Sequence, residues 1–200
     1  MAESAGSGED DLSELSDVSN VLLSAPALGG QGDEICDRLL TLTPPSETKI
    51  LVVTFTDTPQ EWVDNWMDSV GVSPVRGGIV SIGQAEAAVD DPSWAVRTVE
   101  NPSDLTGIGI ELSELLSGIA AADEEHLVVC FDSITSLLQY ADLQRAFRFL
   151  HVVTGRVKTA DGAGHYHLDP EAHDQQTLAT LKGLFDAVVE VEEGGWTIQQ

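Results

Sequence analysis

Three histidines and an aspartate lie close together in the segment G-H-Y-H-L-D-P-E-A-H and are suited to metal binding. On a β-strand, His165 and His167 would point to the same face, about 6–7 Å apart. With Asp169 or His173 they would supply nitrogen and oxygen ligands. The spacing is not the helical H-E-x-x-H pattern, and both cysteines are remote in sequence. Two interpretations stay open: a metal site of His165, His167 and His173, or rings that pack in the core or at a sheet edge.

A glycine-rich loop follows the first apolar run and contains Gly29, Gly30 and Gly32. Such a loop can hold phosphates with its backbone N–H groups, in the pattern G-x-x-x-x-G-K-[ST]. Here no lysine or hydroxyl follows the glycines, because Asp33 and Glu34 occupy that stretch. Carboxylates at a helix N-terminus repel a triphosphate, and each stabilises the helix by about 0.3–1 kcal/mol. The loop therefore favours a tight turn over an ATP site.

Two further acids follow apolar runs, at Asp57 and Asp132. The sequence L-V-V-C-F-D-S has the Walker-B form, in which the aspartate holds Mg²⁺ through water, with Ser133 beside it. Asp57 could polarise water or contact a metal. An aspartate at such a position also commonly caps the next helix, and we expect Asp57 to be an N-cap.

The elements that position these residues alternate between short apolar strands and amphipathic helices. Strands buried on both faces indicate a parallel sheet covered by helices on both sides. We predict an α/β fold, a three-layer parallel sheet with helices on both faces, closed by a C-terminal β-hairpin across Gly194 and Gly195. Residues 1–17 are expected to form a flexible acidic tail and residues 18–200 one domain. The predicted strands cover 20–25, 49–55, 78–82, 95–99, 127–131, 164–168, 187–192 and 196–199, and the helices 33–42, 59–70, 103–121, 142–154 and 177–185.

The composition excludes several classes of protein. The chain has 34 acidic and 9 basic residues, a net charge of −25 and 42% apolar residues. This is typical of salt-adapted archaeal proteins, whose self-repulsion is screened by salt, and it argues against a nucleic-acid partner. The apolar runs are too short for a membrane helix, and no secretory signal is apparent. Cys36 and Cys130 are expected to be buried free thiols in a cytoplasmic protein.

Read together, four segments resemble a known family. They are the glycine-rich loop, V-T-F-T-D-T-P ending at Pro59, F-D-S-I-T-S-L-L starting at Phe131, and H-x-H-L-D-P with a final F-D-x-V-V-E. Their order resembles the RecA-type ATPase fold in its KaiC-like branch. The nearest resemblance is to small uncharacterised RecA-like proteins of haloarchaea called transducer-like, over residues 18–200.

The resemblance implies a RecA-like P-loop NTPase fold whose phosphate-binding loop is degenerate. It assigns Asp132 to the Walker-B acid and Asp57 to the position of the water-activating acid, where a glutamate would be expected. A domain of this kind without a functional phosphate-binding loop resembles a pseudo-ATPase. Such domains bind protein partners or self-associate.

Three functions follow in order of preference. The first is a non-catalytic regulatory or protein-interaction module, with no cofactor. The second is a divergent ATP-binding protein or weak ATPase that uses Gly29, Gly30, Gly32, Asp132 and Ser133 for ATP and Mg²⁺ and has Asp57 and Asp132 as catalytic acids. The third is a metal-binding protein built on His165, His167 and His173.

The acidic composition also predicts a strong dependence of stability on salt. We expect the melting temperature to rise markedly from low salt to molar KCl, because salt screens repulsion among the 34 acids. Thermal unfolding followed by circular dichroism at several KCl concentrations measures this. A melting temperature that does not change with KCl would contradict salt adaptation.

Overall fold

The fold is built on one eight-stranded sheet. The computed structural model describes residues 11–28, 30–84, 87–120, 125–192 and 195–200. The strand order is β4-β3-β2-β5-β6-β1-β7-β8, parallel except for the antiparallel pair β7 and β8. The strands are β1 (Asn20–Ser24), β2 (Thr48–Thr54), β3 (Arg76–Ile82), β4 (Trp94–Val99), β5 (His126–Asp132), β6 (Ala163–Leu168), β7 (Ala187–Glu192) and β8 (Gly195–Gln199).

Helices cover both faces of this sheet, as the apolar strands require. The helices are α1 (Gln31–Leu40), α2 (Pro59–Ser69), α3 (Leu105–Ala120), α4 (Ile134–Leu137), α5 (Leu143–Thr159) and α6 (Gln175–Lys182). Residues of α1 and α2 pack in one core, and residues of α3, α4, α5 and α6 pack in the other. None of the described helices has both the length and the apolar character needed to cross a bilayer.

Strand alternation decides which side chains reach which core. On β6, Tyr166 and Leu168 point to the core under α3 and α5, where Tyr166 stacks against Phe131 with ring centroids 5.9 Å apart. His165 and His167, one residue out of step, must point to the opposite face, where α1 lies. The predicted common face for the two histidines follows from this alternation, and their ring centroids are 5.3 Å apart.

The N-terminal segment departs from the sequence prediction. Asp11–Leu15 forms a 3₁₀ helix, and Leu12 and Leu15 are buried in the core beneath α1. The flexible tail predicted for residues 1–17 therefore does not extend over these residues, because two leucines three apart give the segment an apolar side to bury. Residues 1–10 lie outside the described part of the chain.

The α/β fold itself is confirmed, including the parallel sheet and the C-terminal antiparallel hairpin. Each predicted strand and helix is present, with ends shifted by a few residues. The largest shift is at α5, which continues to Thr159, five residues beyond the predicted end. The helix α4 and the 3₁₀ segments are not among the predicted elements, because they are too short to show a periodic pattern. The glycine at 194 in the predicted hairpin turn is outside the described residues.

Candidate functional site

The carboxyl ends of the central strands border a cavity of about 750 Å³. Parallel strands bind ligands at this edge in open α/β sheets. The structure brings most of the residues predicted for a nucleotide site to this cavity. They are Gly30, Gly32, Asp57, Asp132 and Ser133. The remaining one, Gly29, lies outside the described residues.

The loop before α1 has the backbone form of a turn but lacks the side chains of a phosphate-binding loop. Gly30 has a φ of 70° at the N-cap of α1, a left-handed conformation that glycine adopts without strain. With Gly30 placed at the second glycine of G-x-x-x-x-G-K-[ST], Ala25 replaces the first glycine and Gln31 the lysine. Gly32 then stands where the Mg²⁺-binding hydroxyl belongs. All three chemical requirements for holding phosphate are altered.

The charge of the cavity is negative. Four aspartates line it, and among the described residues no lysine or arginine does. Burial, followed by the negative charge of Asp132, raises the pKa of Asp57 above its usual value. The two acids predicted for catalysis therefore face one cavity and repel each other. The four aspartates are Asp33, Asp57, Asp132 and Asp169.

The helix caps differ from the sequence prediction at Asp57. The N-cap of α2 is Thr58, whose Oγ1 accepts from the Glu61 N–H at 3.2 Å, while Glu61 accepts from the Thr58 N–H at 3.0 Å. This capping box is stronger than a single cap because two backbone donors are satisfied at once, so the prediction of Asp57 as N-cap is wrong. Ser133 caps α4 by accepting from the Ser136 N–H at 3.1 Å. The carboxylate of Asp132 is thus left facing the cavity.

A second group of side chains adjoins the cavity, and one of its members, His167, also lines it. The group consists of Cys36, Cys130, His165 and His167, whose ligand atoms all lie within 4.8 Å of one another. Cys36 Sγ is 3.9 Å from Cys130 Sγ and 3.2 Å from His165 Nε2. Cys130 Sγ is 3.6 Å from His167 Nε2. We call these four residues the thiol–imidazole cluster.

Strand register and helix periodicity bring the cluster together. In the β5–β6 pair, Cys130 is directly opposite His165. Both face α1, as does His167 two residues further along β6. Cys36 lies on the apolar side of α1 between Ile35 and Leu39, all three buried against the sheet. The cluster thus joins one helix to two neighbouring strands.

The interior changes the pKa values of three members. Contact with the Cys130 sulfur and burial raise the pKa of the Cys36 thiol well above its usual value. Burial and the neighbouring His167 lower the pKa of His165 well below its usual value. Both shifts favour the uncharged side chain, as expected where water is excluded. His167 differs, because burial lowers its pKa but the neighbouring Cys36 sulfur and the charges of Asp132 and Asp33 outweigh burial and raise the pKa to about 9.

Only part of the predicted histidine site comes together. His165 and His167 are adjacent as predicted, whereas the third histidine, His173, pairs with Thr135, with His173 Nε2 3.0 Å from Thr135 Oγ1. Partial burial lowers the pKa of His173. Nothing in the sequence marks the two cysteines as partners of the histidines. Their spacing carries no motif, because the ligands come from three separate elements.

A family model matches residues 18–191 and describes a family of unknown function, DUF7504. The chain belongs to this family. No curated protein matches it.

Similarity to solved structures of other proteins shows the fold of this chain. A Pyrococcus horikoshii protein, PH0250, has a TM-score of 0.63 at 11% identity, covering 96% of this chain and 92% of that one. A second P. horikoshii protein, PH0321, solved with an unknown peptide, has a TM-score of 0.61 at 13% identity and coverages of 90% and 81%. The flagellar accessory protein FlaH of Methanocaldococcus jannaschii has a TM-score of 0.51 at 13% identity and coverages of 90% and 75%. The chain has the RecA-like fold, as predicted.

The caps and the cavity charge predict opposite effects for two adjacent substitutions. Thr58→Ala removes the N-cap of α2 and is expected to lower the free energy of unfolding by about 1 kcal/mol. Asp57→Asn removes a charge that repels Asp132 while keeping the side-chain shape, so we expect stabilisation at neutral pH. Denaturant unfolding in molar KCl measures the free energy of unfolding of both variants.

The pH dependence of the Asp57→Asn effect follows from the raised pKa of Asp57. A raised carboxyl pKa means that ionised Asp57 destabilises the folded protein, so the advantage of asparagine is present at neutral pH. It disappears as the pH falls below about 3.9, where the aspartate is neutral in both states. Destabilisation by Asp57→Asn, together with no effect of Thr58→Ala, would contradict the assignment of the cap and the repulsion.

Proposed function

We propose that this protein is a non-catalytic RecA-like module that acts by contacts with other proteins and not by ATP hydrolysis. The observation that carries the proposal is the cavity at the carboxyl edge of the sheet. It has the position of a nucleotide site but is lined by four aspartates. None of the described residues that line it is a lysine or an arginine. The resemblance to transducer-like haloarchaeal proteins and the acidic composition support a regulatory role in a salt-adapted archaeon.

The charge balance of the cavity argues against polyphosphate binding. A P-loop holds the β- and γ-phosphates with a lysine, and a hydroxyl with the Walker-B acid holds Mg²⁺. Here Gln31 and Gly32 provide neither group, so Asp132 has no partner for a metal–phosphate complex. Asp33 and Asp57 add negative charge where the phosphates would lie. Like charges within a few ångströms repel strongly in a partly desolvated site.

Interaction with protein is supported by a surface feature and by a structural neighbour. Helices α3 and α5 border a groove of about 650 Å³. On them Ile110 and Val152 are each about half exposed, at 51% and 50%. Val152 also lines the groove, and a groove with an exposed apolar side is a place where a protein partner can bind. PH0321, which shares the fold, was crystallised with a peptide.

ATP binding is the direct test of the non-catalytic half of this proposal. We expect calorimetric titration of ATP with Mg²⁺ into the folded protein in molar KCl to give no saturable heat up to millimolar nucleotide, and no turnover above background. Asp132→Ala serves as the matched variant. Sub-millimolar binding that Asp132→Ala weakens at least tenfold would overturn the proposal in favour of a divergent ATPase, because Asp57 and Asp132 both face the cavity.

Site-specific crosslinking tests the interaction half. A photoactivatable residue in place of Val152 is expected to give a discrete crosslinked species with a second polypeptide in the native host, because this side chain lies at the α3–α5 groove. The control is the same residue in place of Asp68, which is exposed on α2. Crosslinking at neither position, or equally at both, would contradict a partner surface at this groove.

A further inference from the structure

The thiol–imidazole cluster has the composition of a structural zinc site. Two sulfurs and two imidazole nitrogens from Cys36, Cys130, His165 and His167 converge within 4.8 Å. We propose that these four residues bind one Zn²⁺ ion in tetrahedral coordination. The proposal goes beyond the interaction role, since the site could be present whether or not the module binds a partner.

Three of the six donor–donor distances are close to those of a tetrahedral zinc site, and all four donor atoms lie within 4.8 Å of one another. With zinc–sulfur bonds of about 2.3 Å and zinc–nitrogen bonds of about 2.0–2.1 Å, tetrahedral geometry separates two sulfurs by about 3.8 Å and sulfur from nitrogen by about 3.6 Å. The Cys36–Cys130 sulfurs are 3.9 Å apart. The sulfur–nitrogen distances are 3.2 Å for Cys36 to His165 and 3.6 Å for Cys130 to His167. Small rotations of the side chains would complete the site.

The cysteine sulfurs are also too far apart to be a disulfide as they stand. A disulfide has a sulfur–sulfur distance of about 2.05 Å, whereas 3.9 Å separates Cys36 from Cys130. Their remaining contacts in the cluster are the two histidine nitrogens. The arrangement therefore provides four donor atoms around one point and not a covalent pair.

The ligand types and the burial select the ion. Thiolates and imidazoles together favour Zn²⁺ over Mg²⁺ or Ca²⁺, which take oxygen ligands. Cys36, Cys130 and His165 are buried, with 9%, 1% and 2% of their surface exposed. On binding, each cysteine loses its thiol proton to solvent, the histidines bind as neutral imidazoles with any imidazolium proton also released to solvent, and the two thiolates balance the two positive charges of the ion. A neutral complex is the form that a buried site tolerates best.

The ion has a route to the cluster. A cavity of about 340 Å³ is lined by Cys36, Cys130 and His167, so the cluster has one accessible side. Asp57 and Asp132 lie in the same wall, where their charge attracts a cation. Four protein ligands close the coordination sphere, which is typical of structural and not catalytic zinc. The ion would fix α1 to β5 and β6.

Cobalt substitution in the full-length protein tests the site directly. Apo-protein is prepared with a chelator under reducing conditions in molar KCl and titrated with Co²⁺, then with Zn²⁺. We expect one Co²⁺ per chain, with the intense visible bands of tetrahedral cobalt and a thiolate-to-cobalt charge-transfer band, and full displacement by one equivalent of Zn²⁺. Elemental analysis gives the stoichiometry.

Two variants distinguish a proposed metal ligand from a histidine outside the cluster. Cys36→Ala is expected to weaken cobalt binding more than about 100-fold and abolish the charge-transfer band from this thiolate. His173→Ala is the matched control and should bind as the wild type does, because His173 pairs with Thr135 outside the cluster. Circular dichroism shows whether each variant is folded.

The visible spectrum of the wild-type protein with Co²⁺ tests the proposed site even if Cys36→Ala does not fold. Absence of stoichiometric Co²⁺ binding would overturn the proposal. So would octahedral cobalt without thiolate charge transfer, because it would place the ion on the aspartates. Equal loss of binding in His173→Ala and Cys36→Ala, both folded, would also contradict the assigned ligands.

Discussion

Parallel pairing places β6 between β5 and β1, with His165 opposite Cys130 on one side and Val21 on the other. The assembly of the thiol–imidazole cluster depends on this register. A shift of one residue would turn both histidines to the opposite core and bring Tyr166 beneath α1. The apolar strands hold the register because each face is buried, and the aromatic contacts of Tyr166 fix it from the other side. The cluster is thus a product of sheet pairing and not of any local motif.

The packing of the same sheet explains why the loop at its carboxyl edge is free to vary. Sheet and helices are held by buried apolar side chains, so the loop after β1 can change without loss of the fold. The side chains that would hold phosphate contribute little to this core. Gln31 and Gly32 replace them at the start of α1, while Ile35, Cys36 and Leu39 keep the helix packed. The RecA-like framework therefore does not depend on the side chains at the start of α1.

The sequence predicted the fold better than the site, for a physical reason. Strand and helix patterns are local, so the parallel sheet, the hairpin and the common face of His165 and His167 were all predictable. Strand order is not local, and without it nothing links Cys130 to His165. The cap at Thr58 was missed because Asp57 is also a good capping residue, and the choice depends on where Glu61 points. Leu12 and Leu15 were assigned to a tail because acidic neighbours hid a short apolar side.

X-ray absorption at the zinc edge, on full-length protein loaded with one equivalent of Zn²⁺ in molar KCl, tests most directly whether the sheet register builds a metal site. We predict a first shell of two sulfurs at about 2.3 Å and two imidazole nitrogens at about 2.0–2.1 Å. A shell of oxygen atoms without sulfur would contradict the account, because it would place the ion on the cavity aspartates. The thiol–imidazole cluster would then be no more than a hydrogen-bonded part of the core.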